Sequence, residues 1–558
     1  MTSLKQLIPS IEWMGAYRKE YLRGDLAAGF TVAVMLIPQA MAYALLAGLP
    51  PVMGLYASIL PIIVYAFLGT SRQMAVGPVA MVALLVASGI GGLVSSGDVK
   101  RYVALTILLT LMVGIIQFSM GLFRLGFLTN FLSHPVASGF TSAAALIIGF
   151  SQLKHVIGLN IPRSENILKI IFQAIRQIDE VNLITMSFGI GCIIFLIIIK
   201  RISPFIPGAL IAVIVSSLLT MGFSLHEKGV KIVAGVPAGF PPFSIPEFGI
   251  SDISSLLPIA LTISLIGFME SIAIAKQIAS EKHYEIDSNR ELIALGAANL
   301  VGAFFKAMPV TGGFSRTAVN NEVGAKTGLS GIVTALVVAI VLLFFTPGLY
   351  YLPKAILGAV IMVAVFGLVD FSEVRHLWRV KKDDLGLLLI TFMATLTIGV
   401  KEGIFLGVVL SMVWFVIKTT RPHYAILGKI PGRTDYRDER IKGTESSGDV
   451  LVIRFDSQFY YGNVTFLKET LRKTEQKREL PLKWVVIDAG SINQLDSSAD
   501  SALHELLRDY RNRSIGLCFA HVKNPVLKVM KRSGFYNALG KENFFENVHD
   551  AVQMTNRS

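Results

Sequence analysis

The chain has 558 residues, 53% of them hydrophobic and only 16% charged, with a mean hydropathy of +0.61 and a formal net charge of +13. A soluble chain usually carries about 25% charged residues, so this composition excludes an ordinary soluble globular protein. Two cysteines, Cys192 and Cys518, exclude a disulfide framework.

The first 25 residues carry Lys5, Glu12, Arg18, Lys19, Glu20, Arg23 and Asp25 with no apolar core between them. That is not a cleavable signal peptide, so the first span is expected to direct insertion. Residues 26–71, 73–97, 102–123, 125–153, 202–226 and 327–353 contain no Asp, Glu, Lys or Arg. Each run is long enough to cross a hydrocarbon core of about 30 Å. The hydropathy pattern predicts about fourteen segments in a membrane region over 25–420. They lie near 25–46, 52–69, 78–96, 102–122, 132–152, 182–200, 205–223, 254–276, 289–305, 315–326, 328–347, 353–369, 384–400 and 404–418. Cys192 falls in an apolar run and reads as packing.

The basic residues cluster at the flanks: Arg18, Lys19 and Arg23 before the first span, Arg375, Arg379, Lys381 and Lys382 in one loop, Lys418, Arg421, Lys429 and Arg433 after the last. The positive-inside rule places these flanks, with the N-terminal residues 1–24, in the cytoplasm. The charge therefore reports topology and contact with anionic lipid heads rather than nucleic acid. With both ends cytoplasmic, the number of spans should be even.

Two of the segments are short and flanked by glycine or proline. "VGPVA" (76–80) opens the third segment of the first half and "TGGFSRTA" (311–318) the third of the second half. Such a pair at matching positions points to a secondary transporter built from inverted repeats. A helix that starts inside the membrane exposes its first N–H groups and the positive end of its dipole. Gly312 and Gly313 permit close backbone approach, Ser315 can cap the helix or offer its hydroxyl, and Arg316 adds a cation in the first turn. A cation there is unfavourable to the helix itself and calls for an anionic ligand or a carboxylate partner. Glu270 is the only charged residue between Asp252 and Lys276. A carboxylate in such a position is a functional candidate. If its proton and the anion favour each other's binding, it couples the two as a symporter requires. In the first segment Pro38 loosens the helix, and Gln39 and Tyr43 share one face from which both can donate to an oxyanion. Plainer readings stand beside these: interhelical hydrogen bonds for Gln39 and Tyr43, a structural ion pair for Glu270 and Arg316, and tight helix packing at Gly312 and Gly313.

Beyond residue 420 the chain turns polar. Residues 421–448 read as a linker and 449–556 as a small α/β domain, with strands "DVLVIRF", "LKWVVIDA" and "IGLCFAHV" alternating with amphipathic helices. Asn463-Val464-Thr465 matches a glycosylation acceptor by chance, because this domain is expected to be cytoplasmic. The histidines show no metal-ligand spacing, and there is no phosphate-binding Gly-Lys loop, so neither a metal, a cofactor nor ATP hydrolysis is expected.

"IPQAMAYALLAGLPPVMGLYAS", "VGPVAMVALL", "HPVASGFTSAAAL", "MESIAIAK" and "GGFSRTAVN", in this order, resemble the SulP sulfate permease family of anion transporters, which includes sulfate and bicarbonate transporters and prestin. Residues 449–556 resemble its C-terminal STAS domain. The resemblance implies a polytopic α-helical membrane protein of fourteen transmembrane segments, a 7+7 inverted repeat with core and gate domains, working as a homodimer by elevator-like movement. It implies that substrate sits between the starts of the third and tenth helices. Gln39 and Tyr43 would then contact substrate, Val76, Gly77 and Ala80 would line one wall, and Phe314, Ser315 and Arg316 the other. Glu270 matches the glutamate of proton-coupled members. Ser497, after Asp496, occupies the place of the phosphorylatable serine in anti-sigma-factor antagonists. Ala499 stands close by, where those proteins often have glycine, and a serine capping the helix over 498–507 is the competing reading.

The expectation is a secondary active transporter, not an enzyme, in the cell membrane, carrying sulfate with protons, with an unidentified protein as a further partner of the STAS-like domain. Bicarbonate, dicarboxylate or exchange transport, a nucleobase carrier of the same plan, and a membrane-anchored regulatory scaffold are the alternatives.

Overall fold

The computed structural model describes residues 14–555 apart from 16, 96–97, 128–132, 162–166, 203–205, 236, 247–248, 446–447 and 479, and apart from the side chains of Lys200 and Lys401. Lys5 and Glu12 of the expected cytoplasmic N-terminus lie outside the described residues. The chain divides into two compact units, Met1–Ser411 and Met412–Ser558.

The first unit is helical because its apolar runs are long and uninterrupted. In chain order it contains α1 (Lys19–Ala47), α2 (Pro51–Tyr56), α3 (Leu60–Leu68), the short strand β1 (Val76–Gly77), α4 (Ala80–Gly91), α5 (Val99–Leu122) and α6 (His134–Ser151). There follow α7 (Ile167–Arg176), α8 (Leu183–Ile202), α9 (Gly208–Gly222), α10 (Ile250–Glu281) and α11 (Ser288–Phe304). The strand β2 (Thr311–Gly312) then precedes α12 (Phe314–Val323), α13 (Leu329–Ile340), α14 (Lys354–Phe366), α15 (Phe371–Val380) and α16 (Lys382–Thr397), and the boundary between the units falls within α17 (Val400–Thr420). Among the described residues eight helical stretches are long and apolar enough to cross a membrane, and α4, α8 and α9 are shorter apolar helices. Helix α4 is confined to 80–91 and α12 to 314–323, as the glycine- and proline-broken patterns foretell.

The predicted segment at 52–69 is two helices. Pro51 and Pro61 each sit at a helix start, where a missing N–H costs nothing. One buried apolar cluster runs from Ala33 on α1 to Ile404 on α17. Polar links cross it: Asn299 on α11 donates to Gln117 Oε1 on α5 at 3.0 Å, and Gln117 donates to the Ser264 carbonyl on α10 at 3.2 Å.

The second unit is a six-stranded sheet in the order β4-β3-β5-β6-β7-β8, built from β3 (Tyr424–Lys429), β4 (Tyr436–Asp438), β5 (Val450–Phe455), β6 (Trp484–Asp488), β7 (Gly516–Ala520) and β8 (Phe544–Phe545). Strand β3 is antiparallel to β4 and β5, while β5, β6, β7 and β8 run parallel. Its helices are α18 (Val464–Gln476), α19 (Ser497–Asn512), α20 (Asn524–Arg532), α21 (Phe535–Leu539) and α22 (Val548–Thr555). Alternation along β5 sends Leu451, Ile453 and Phe455 into the core beneath α18 to α21, and Val450 and Val452 into a second core beneath α22. The stretch 421–448, expected to be a linker, carries two strands of this sheet. Its signal is brief: in "YAILGK" Ala425 and Leu427 alternate into the second core.

Candidate functional site

The two short helices are brought together by backbone pairing. Strand β1 pairs antiparallel with β2, Val76 opposite Gly312 and Gly77 opposite Thr311, immediately before α4 and α12 begin. Gly313 N–H donates to the Ala75 carbonyl at 3.0 Å, and Ala75 N–H donates to Thr317 Oγ1 at 3.0 Å. Neither helix start is capped by a side chain, Val79 and Gly313 being the residues in the cap positions. Two sets of first-turn amides, and two positive dipole ends, are therefore left for a ligand.

Arg316 stands in the first turn of α12 and is 2% exposed. Its Nη1 donates to Gln39 Oε1 at 3.4 Å, whereas Nε and Nη2 are buried with no hydrogen-bond partner. No ion pair to Arg316 is found among the described residues. A buried guanidinium with two bare nitrogens is costly unless an anion completes it. Two glycines make the geometry possible. A Cβ on Gly313 would lie 2.6 Å from Arg316 Nη2, and one on Gly312 would lie 2.5 Å from the Met74 sulfur.

The remaining predicted residues lie on the elements around this point, several of them in a different role from the one expected. Gln39 and Tyr43 are buried on α1, one turn apart, and Gln39 offers its oxygen to Arg316 rather than donating. Val76, Gly77 and Ala80 are buried, and Gly77 approaches the guanidinium so closely that a Cβ there would lie 3.4 Å from Nη2. Phe314 and Ser315 open α12 and are exposed, Phe314 by 52%. Ser315 does not cap the helix, because it lies inside the first turn and Gly313 holds the cap position. Glu270 is half-buried on α10, within electrostatic reach of both Arg316 and Tyr43 but not in an ion pair with Arg316.

Residues that sequence reasoning missed fasten the site. Ser271, next to Glu270, meets Thr311 Oγ1 at 2.6 Å and accepts from Gly312 N–H at 2.8 Å. Thr311 Oγ1 also donates to the Gly267 carbonyl at 2.5 Å. Asn299 accepts from Val310 N–H at 2.8 Å and donates back to its carbonyl at 3.0 Å. Two wholly buried carboxylates, Asp25 and Glu291, hold loops on either side of the half-helices. Their only sequence signal is a charge near a helix start, which solvent-facing charges share.

In the second unit Ser497 is the exposed first residue of α19. The helix is capped by Asp496, which accepts from Ala499 N–H at 2.8 Å and from Tyr461 N–H at 2.9 Å, so the serine cap is corrected to an aspartate cap. Asn463 is fully buried, donating to the Gln458 carbonyl at 2.8 Å and accepting from Tyr460 N–H at 3.1 Å, which leaves no amide for a glycan. Among the described residues no three His, Cys, Asp or Glu side chains gather to hold a metal ion.

Known proteins resemble this chain in sequence and fold. The sulfate permease family model matches residues 22–391 and the STAS domain model residues 442–551. Sulfate transporter 4.1, chloroplastic, of Arabidopsis thaliana is 40% identical over 98% of this chain and 82% of its own length. A probable sulfate transporter of Mycobacterium tuberculosis (strain CDC 1551 / Oshkosh) is 33% identical over 98% of both chains. The solved structure of SLC26A9 superposes with a TM-score of 0.91 at 25% identity, covering 100% of this chain and 93% of that one. The transmembrane domain of the cyanobacterial bicarbonate transporter BicA shares the fold, with a TM-score of 0.61 at 21% identity over 71% of this chain and 97% of that one. The chain belongs to the sulfate permease family, as a multi-pass membrane transporter with a STAS domain and not an enzyme.

Proposed function

We propose that this protein carries sulfate across a membrane together with protons, binding the anion where α4 and α12 begin. The observation that carries this reading is Arg316: buried at a helix N-terminus, with two guanidinium nitrogens lacking a protein partner. Two converging dipole ends and one such cation suit a small tetrahedral oxyanion, each dipole contributing roughly 0.3–2 kcal/mol. The names of the Arabidopsis and Mycobacterium relatives favour sulfate among the anions that would fit.

Glu270 supplies the coupling. Ionised, its carboxylate competes with the incoming anion for the field of Arg316; protonated, it leaves that field to the anion. Proton and anion then promote each other's binding, and the linkage is reciprocal. The tethers among α10, α11, β1 and β2 support movement of the site as one body, which is what elevator transport by a core domain against a gate domain requires. The basic flanks support cytoplasmic termini, and a homodimer in the cell membrane completes the reading. The 7+7 repeat is supported by the antiparallel pairing of one half-helix start from each half.

The test is a thermal-shift titration of the purified protein with sulfate at two pH values, competed with bicarbonate and with a dicarboxylate. Stabilisation by sulfate that strengthens at the lower pH is expected. Stabilisation by bicarbonate alone, or none by any anion, would overturn the assignment.

A further inference from the structure

Glu291 lies in the first turn of α11 and is 0% exposed. Four donors converge on it. Tyr65 O–H reaches Oε2 at 2.6 Å, and Thr70 N–H, Thr70 O–H and Ser71 N–H reach Oε1 at 2.6, 2.5 and 2.9 Å. No ion pair to Glu291 is found among the described residues, so its charge is compensated by hydrogen bonds from α3 and from the segment that follows it. An ionised carboxylate accepts all four without frustration, whereas a protonated one would have to donate.

The segment held in this way leads directly to the anion site. From Thr70 and Ser71 the chain continues through Gln73, which receives Tyr284 O–H at 2.7 Å and donates to the Ala325 carbonyl at 3.2 Å. Asn320 on α12 donates to the Gln73 carbonyl at 2.8 Å. The chain then enters β1 and α4. Residues 70–77 thus form a strap anchored by the carboxylate at one end and by the β1–β2 pairing at the other. A matching device stands behind α12, where buried Asp25 accepts from Lys326 N–H at 2.6 Å, Thr327 N–H at 3.0 Å and Thr327 O–H at 2.7 Å.

We propose that Glu291 is a positioning residue for the anion site: through the strap over residues 70–77 it sets where the N-terminus of α4 stands relative to Arg316. It touches no substrate. This inference rests on the anion-site reading above and adds a distant group on which affinity depends. Weakening the clamp lets α4 draw away from the guanidinium, which lowers affinity for the anion without altering the steps that limit turnover.

The experiment compares full-length wild type with Glu291→Gln in liposomes. Hydrogen exchange of the peptide covering residues 70–77 is measured alongside the KM and maximal rate of sulfate uptake. In the variant, strap exchange should accelerate about ten-fold while α5 and α14 keep their protection. The sulfate KM should rise about ten-fold while the maximal rate stays within about two-fold. Unchanged strap exchange, or faster exchange with an unchanged KM, would overturn the proposal. Faster strap exchange in a protein whose wild type takes up no sulfate would support the clamp and refute the sulfate assignment instead. Should Glu291→Gln fail to fold, Thr70→Ala removes one donor, leaves the carboxylate in place, and should move both readouts in the same direction by less.

Discussion

Arg316 folds back over the backbone of Gly313, so that any side chain on Gly313 would begin 2.6 Å from Nη2. The cation is thereby held at the mouth of its own helix, where it opposes the dipole and meets the amides that a ligand would use. Overfilling this space should cost about 1–3 kcal/mol. Gly313→Ala is expected to weaken sulfate binding by about ten-fold or more, since about 1.4 kcal/mol is a factor of ten. Isothermal titration of the purified variant checks this, and an unchanged affinity would show that the guanidinium can move aside at no cost.

Removing the cation should separate binding from stability. Arg316 is buried with two unpartnered nitrogens, so the empty protein carries its desolvation cost. Arg316→Ala is expected to melt at the same temperature as wild type or higher without ligand, and to lose the sulfate-induced shift. For wild type that shift corresponds to about 2.7 kcal/mol at a hundred-fold excess of sulfate over Kd. A variant that unfolds on its own would instead mark Arg316 as a structural partner of Gln39.

Much of this site is legible in the sequence and part of it is not, for a physical reason. The half-helices announce themselves because glycine, proline and arginine break an apolar pattern, and such breaks are local. Glu270 stands out because it is alone in a charge-free run. Ser271, Thr311 and Asn299 look like ordinary small or polar residues of membrane helices, and their roles depend on partners brought near only by folding. Asp25 and Glu291 are hidden differently: each lies close to a helix start, where an acidic residue is expected to be solvated. The strands in 421–448 escape notice because "YAILGK" is short and its neighbours are rich in charge. Ser497 is misread as the cap because both Asp496 and Ser497 are capping residue types, and the actual cap is decided by where the helix begins.

In the STAS domain the cap can be tested directly. Asp496→Ala removes the acceptor of two backbone N–H groups and should cost about 1–2 kcal/mol. Ser497→Ala, on an exposed first-turn residue, should stay within about 0.5 kcal/mol of wild type. Hydrogen exchange of the peptide covering the first turns of α19 in the full-length protein should rank the two. The reverse order would restore the serine as the capping residue.

The buried thiol of the same domain makes a chemical prediction. Burial pushes the Cys518 thiol up to about 12, so almost none of it is thiolate at mildly alkaline pH. Iodoacetamide is expected to leave Cys518 unmodified in the folded protein and to alkylate it fully in urea. Peptide mass spectrometry reads the outcome, and rapid labelling of the native protein would mean that β7 opens readily.

Coupling through Glu270 is the central claim, and proteoliposome uptake of labelled sulfate tests it most directly. An inward proton gradient should drive wild type to accumulate sulfate above its equilibrium level. Glu270→Gln, fixed in the uncharged form, should lose that accumulation while retaining sulfate exchange. Wild type that exchanges sulfate but ignores the gradient, or a Glu270→Gln protein that accumulates normally, would contradict the account.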